Sequence, residues 1–86
     1  MKIVDVDLII LLHEEIDRCE LCNAAGKLEV HHIFPRGMGG GGRLDIPWNL
    51  LVVCRDCHQH CQAGKIPKRE QLGIAAEREI WRLKRT

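Results

Sequence analysis

The sequence predicts a small α+β domain held together by a metal site. Three observations carry this expectation. Two Cys-x-x-Cys pairs, Cys19 with Cys22 and Cys54 with Cys57, stand 31 residues apart. Between them lie two short stretches of strand character, one around Leu28, Val30 and Ile33 and one at Leu50, Leu51, Val52 and Val53. Segments with helical apolar spacing flank both cysteine pairs. The 86 residues suggest one domain, 1–86. A chain this short buries a limited share of its surface and needs a staple. Aromatic residues are few, with Phe34, Trp48 and Trp81 and no Tyr. In small zinc domains metal binding is itself folding free energy, roughly 10–16 kcal/mol in isolated finger peptides.

The elements follow in chain order. Val4, Leu8, Leu11, Leu12 and Ile16 recur at helical spacing, and Asp5 and Asp7 suit a helix N-terminus, which predicts a helix over about 5–17. The run LIILL is also compatible with a strand. The first cysteine pair forms a knuckle-like turn, followed by a turn at Asn23–Lys27. Leu28, Val30 and Ile33 alternate with polar residues, so a short strand ends in the histidines and stops at Pro35. Gly37 and Gly39–Gly42 form a flexible connector edged by Arg36 and Arg43. It lacks the Lys-Ser/Thr of a phosphate-cradling loop. Leu50–Val53 reads as a buried second strand. A short helix over 55–63 ends at Gly64. After Pro67, the spacing of Leu72, Ala75, Ala76, Ile80 and Leu83 predicts an amphipathic helix over about 68–85.

Paired C-x-x-C spacing fits thiolate ligation of one metal, and four thiolates close a tetrahedral zinc site with no open position. Disulfides and an iron-based site are the alternatives. Against disulfides stand the odd count of five cysteines and the lack of a signal peptide after Met1-Lys2. Cys61 is left over and reads as a small buried hydrophobe. The net charge of +1 hides an asymmetry. Residues 1–34 carry three basic and seven acidic side chains, while residues 35–86 carry ten basic and five acidic. Such a basic half suits a phosphate-bearing partner, although an ordinary solvated surface explains it equally well. No apolar run approaches the ~18–20 residues of a membrane span.

The gap between the cysteine pairs exceeds that of a simple zinc finger, and it holds His31, His32 and Asn49. Adjacent residues on a strand point to opposite faces, so His31 and His32 do not fill the same space. His58 directly follows Cys57, so a structural zinc would fix its backbone.

With E-V-H-H-I-F-P-R-G at 29–37 and W-N-L-L-V-V-C-R-D-C-H at 48–58, the chain resembles the HNH nuclease family with its ββα-metal core, in a four-cysteine subtype. The resemblance covers about 19–62 and leaves both terminal helices outside. It implies that His32 is the general base that activates water, a role suited to an imidazole. It implies that His31 and His58 bind the catalytic divalent ion, and that Asn49 holds the loop and orients the base, so that His32, Asn49 and His58 form the catalytic set. Cys19, Cys22, Cys54 and Cys57 would hold structural Zn²⁺.

One position departs from the pattern. Some family members carry a third metal-binding histidine four residues after the last motif histidine, where this chain has Gln62. Two protein ligands leave room for several waters, which suits Mg²⁺ or Mn²⁺. His60 and His13 read as surface or structural residues. Arg36, Arg43, Arg55, Lys65, Lys68 and Arg69 are candidate phosphate contacts. The expected partner is DNA, double-stranded, with a protein partner or self-association supplying specificity, and no membrane. The expected compartment is cytoplasmic and reducing, in a bacterial or phage setting. The alternative is a non-catalytic zinc module that binds nucleic acid or protein.

Overall fold

A computed structural model describes residues 3–34 and 43–84. The proline and glycine connector, with Arg36, lies outside the described residues. The first helix, α1 (Val6–Glu15), begins where the carboxylate of Asp5 accepts the backbone N–H of Leu8 at 3.0 Å. This is a side-chain cap on one of the N–H groups that a helix start leaves unpaired. It ends two residues earlier than the apolar spacing suggests, because Ile16 is extended and Arg18 bridges to Ala25 across the first cysteine turn. Within that turn Asn23 has φ 66° and Gly26 has φ 119°. Asn tolerates the left-handed region, and Gly26 adopts a conformation that side chains rarely reach.

Two strands, β1 (Glu29–His32) and β2 (Leu50–Val53), form an antiparallel hairpin. Its register pairs Glu29 with Val53, Val30 with Val52, His31 with Leu51 and His32 with Leu50. A single 3₁₀ turn, Pro47–Asn49, leads into β2. Helix α2 (Arg55–Gln62) starts directly after Cys54. It closes with Gly64 at φ 77°, where Gly64 N–H donates to Cys61 O and Lys65 N–H donates to His60 O. That pair of bonds is a Schellman ending, which the left-handed glycine allows. Helix α3 (Lys68–Lys84) completes the chain.

The hairpin is buried on both faces. Cys19, Ile33, Leu51, Val53, Cys57 and Ala75 form one cluster, so the thiol site is continuous with the core under α2 and α3. Leu12 of α1 packs with Leu50 and Val52 on the opposite face. All four residues of β2 have no exposed surface, which explains its uninterrupted apolar sequence. Each such side chain contributes about 1.5–3 kcal/mol.

The outer edge of β2 is closed by polar side chains. Glu20, inside the first cysteine turn, donates its N–H to Val52 O and accepts Val52 N–H on its carboxylate, both at 2.9 Å. Arg78 of α3 donates to Glu20 at 2.7 Å, to Leu50 O at 2.9 Å and to Pro47 O at 2.6 Å. These bonds satisfy an edge that would otherwise be open to pairing with another chain.

The apolar stripe expected along α3 is only half used. Gln71 and Ala75 are buried, but Ile80 and Leu83 are exposed. A 17-residue helix is about 25 Å long, whereas a four-residue strand spans about 13 Å. The hairpin therefore covers only the first half of the helix, and Arg78 takes the position where the stripe would continue.

Candidate active site and metal centre

The thiols of Cys19, Cys22, Cys54 and Cys57 all lie within 4.8 Å of one another. Thiolates about 2.3 Å from one ion at tetrahedral corners are about 3.8 Å apart. The Sγ atoms of Cys22 and Cys54 are 3.7 Å apart. The donor set and its spacing thus fit Zn²⁺. Burial opposes the Cys19 thiolate, but the backbone N–H groups of Cys22, Cys54 and Leu21 outweigh it and bring the thiol down to about 7. Two of those bonds, from Leu21 and Cys22, measure 3.4 Å. Cys57 is pushed up by burial and by the three neighbouring thiols. A bound divalent cation reverses that penalty and holds all four as thiolates. Cys61 is buried near this cluster, and burial raises its thiol as well.

Beside the thiols, β1 and α2 bring two histidines together. His31 and His58 meet edge to face with ring centroids 5.0 Å apart. His31 is buried, and burial lowers its pKa, so the ring is neutral and fit for ligation. Its Nε2 lies 2.9 Å from the side-chain oxygen of Gln71. His58 Nδ1 lies 2.7 Å from Glu29 Oε1, and this bond lowers the Glu29 carboxyl. With Nδ1–H donating to Glu29, the lone pair of His58 is on Nε2, as in the carboxylate–histidine pairs of metal sites. The Gln62 side-chain nitrogen is 3.5 Å from that Nε2, at the position where a third histidine would stand.

His32 faces the other way, as strand alternation requires. Its Nε2 donates to Asp45 Oδ1 at 2.7 Å. The Asp45 side chain is fully buried and accepts three further bonds, two from Arg43 Nε at 2.8 and 2.9 Å and one from the Asp5 N–H at 2.8 Å. Burial works against this carboxylate, yet Arg43, His32 and the Asp5 N–H hold it well below the usual range. The bond to Asp45 leaves the His32 lone pair on Nδ1.

Asn49 joins the two strands at their site end. Its Oδ1 accepts the Phe34 N–H at 2.8 Å, and its Nδ2 donates to Phe34 O at 3.3 Å and Leu44 O at 3.0 Å. Ile33 N–H also donates to Asn49 O at 2.8 Å. The chain on either side of the connector is therefore pinned to one buried amide.

The basic candidates are placed differently from one another. Arg55, at the start of α2, lies close enough to Glu29 for its charge to help lower that carboxyl. Lys65 and Arg69 are exposed. Lys68 donates to Ile33 O at 2.6 Å and sits 5.3 Å from the Phe34 ring centroid, at the end of β1. Arg43 is bound to Asp45. His13 and His60 are exposed.

Three residues of this site carry no role in the sequence reading. Glu29 has a signal, because it precedes His31 by two residues on a strand and so shares its face. Asp45 and Gln71 have none, since each meets its histidine only through the fold.

A histidine-bearing hairpin followed at once by a histidine-bearing helix, both braced on a metal knuckle, defines a ββα-metal type of protein. The family model for HNH endonuclease matches residues 19–63, a little over half of the chain, and the chain belongs to that family. No curated protein and no solved structure matches it. Among the described residues no helix is long and apolar enough to cross a membrane.

Proposed function

We propose that this protein is a metal-dependent endonuclease that hydrolyses phosphodiester bonds of double-stranded DNA. The observation that carries the reading is the convergence of His31 and His58, with ring centroids 5.0 Å apart, at the strand end where the next residue, His32, is held by a buried carboxylate. His31 Nδ1 and His58 Nε2 would hold Mg²⁺ or Mn²⁺, which supplies stabilisation of the charge that develops on the phosphate and the leaving 3′-oxygen. His32 takes the proton from the attacking water at Nδ1. Asp45 keeps the other nitrogen protonated and favours the imidazolium that forms. Asn49 fixes the backbone on both sides of the connector, and with it the position of β1's end. Arg55, Lys65, Lys68 and Arg69, with Arg36 and Arg43, supply sequence-independent attraction for the phosphate backbone. The products carry 5′-phosphate and 3′-hydroxyl ends. A site of four thiolates suits a reducing, intracellular compartment.

The test is a plasmid assay. Supercoiled DNA is nicked or cut when Mg²⁺ or Mn²⁺ is added, and His32→Ala abolishes this while zinc content and far-UV circular dichroism stay unchanged. Cleavage that persists in pure His32→Ala protein overturns the general-base assignment.

A further inference from the structure

We infer that Gln71 is the positioning residue that presents His31 to the catalytic ion through Nδ1. Gln71 lies on α3, beyond residues 19–63 that match the family. It is almost wholly buried against the histidine face of the hairpin. Its Nε2 donates to Ile66 O at 2.8 Å, and its Oε1 lies 2.9 Å from His31 Nε2. The first bond fixes the second. Turning the amide over would set Gln71 Oε1 against the Ile66 carbonyl, two acceptors in contact in a dry site, and would leave both without a proton. The oxygen therefore faces His31. An amide oxygen only accepts, so His31 Nε2 carries the ring proton and Nδ1 carries the lone pair. Glu29 acts in the mirrored sense on His58, taking Nδ1–H and leaving Nε2. The two rings are thus set to offer opposite nitrogens, one through a strand neighbour and one through a helix outside the shared core.

This inference rests on the reading of His31 as an ion ligand, and the experiment separates the two. The zinc-loaded full chain is studied by ¹⁵N NMR of its imidazoles without added Mn²⁺, and then by calorimetric titration with Mn²⁺. Wild-type His31 is expected to be protonated at Nε2, with a slowly exchanging ring N–H. Gln71→Met, similar in size but without an acceptor, is expected to lose that resonance and to bind Mn²⁺ about 10–100-fold more weakly at unchanged zinc content. Gln71→Glu keeps the acceptor toward His31 but sets its second oxygen against Ile66 O, so it is expected to lower thermal stability and, in the folded protein, to bind Mn²⁺ more tightly than Gln71→Met. A purely structural role for Gln71 would change thermal stability and leave both ring N–H and Mn²⁺ affinity alone.

Protonation of wild-type His31 at Nδ1 overturns the inference without any variant. A folded Gln71→Met protein with wild-type Mn²⁺ affinity overturns it too, provided that His31→Ala weakens binding. If His31→Ala leaves Mn²⁺ affinity unchanged, the ligand assignment falls and the role of Gln71 with it.

Discussion

The Nε2 of His32 donates to Oδ1 of Asp45 across 2.7 Å, joining a strand histidine to a buried carboxylate 13 residues further along the chain. Arg43 and the Asp5 N–H hold the same carboxylate, so it cannot turn away. The ring is therefore fixed in one tautomer, with a negative charge on its Nε2–H side. Asp45→Asn keeps the size of the side chain and removes that charge. General-base catalysis is worth about 10²–10⁴-fold in rate. The variant is expected to lose about 10-fold or more of the cleavage rate under single-turnover conditions, with less loss than His32→Ala. A wild-type rate in folded Asp45→Asn would leave the carboxylate with a purely structural role.

Asp45 also ties stability to pH. Its pKa in the folded protein is depressed, so between that value and the unfolded Asp value of about 3.9 the unfolded chain binds more protons. The contribution of Asp45 is complete above about pH 4 and is lost as pH falls. Thiolate protonation destabilises the zinc site over an acid range as well, in wild type and variant alike. The difference in urea midpoint between wild type and Asp45→Asn therefore isolates the carboxylate. That difference is expected to be constant near neutrality and to begin to shrink as pH falls towards about 4, over the range in which zinc stays bound.

The four thiols are expected to hold one zinc and to be needed for folding. Cys19 and Cys57 belong to the same buried cluster as Leu51 and Val53, so loss of the ion opens the core as well as the knuckle. Zinc binding in isolated fingers supplies roughly 10–16 kcal/mol, more than the whole stability of many small domains. Cys54→Ser should release zinc to a chromogenic chelator and lose its cooperative thermal transition. Retention of both zinc and the transition would show that the fourth thiolate is dispensable.

Most of the elements were legible in the sequence because local signals and the fold agree. Asp5 starts α1, Leu50–Val53 is β2 as its apolar run implies, and Gly64 ends α2. The opposed histidines followed from strand alternation alone. The residues that hold the histidines were not legible in the same way. Gln71 meets His31 across 40 positions and Asp45 meets His32 across 13, and no spacing rule links such pairs. Arg78 carries no local signal either, yet it is bonded to Glu20, Leu50 and Pro47. Ile80 and Leu83 followed the helical period but lie past the end of a short hairpin, because periodicity reports a face and not how far the partner extends.

Asn49 offers a test of the loop clamp that is independent of the chemistry. Its side chain is buried and makes three bonds, with Oδ1 accepting from Phe34 N–H and Nδ2 donating to the carbonyls of Phe34 and Leu44. Asn49→Asp is nearly isosteric, but it turns the donating end into an oxygen that faces two carbonyl oxygens. Each buried polar group left unpaired costs about 1–3 kcal/mol, so with two carbonyls affected the variant is expected to lose about 2–6 kcal/mol. Urea unfolding at pH 7 decides this, with a lowered midpoint and an unchanged m-value as the expected result. If Asn49→Asp were as stable as wild type, the two carbonyls would be satisfied without the amide. The clamp would then not be what holds the ends of the connector together.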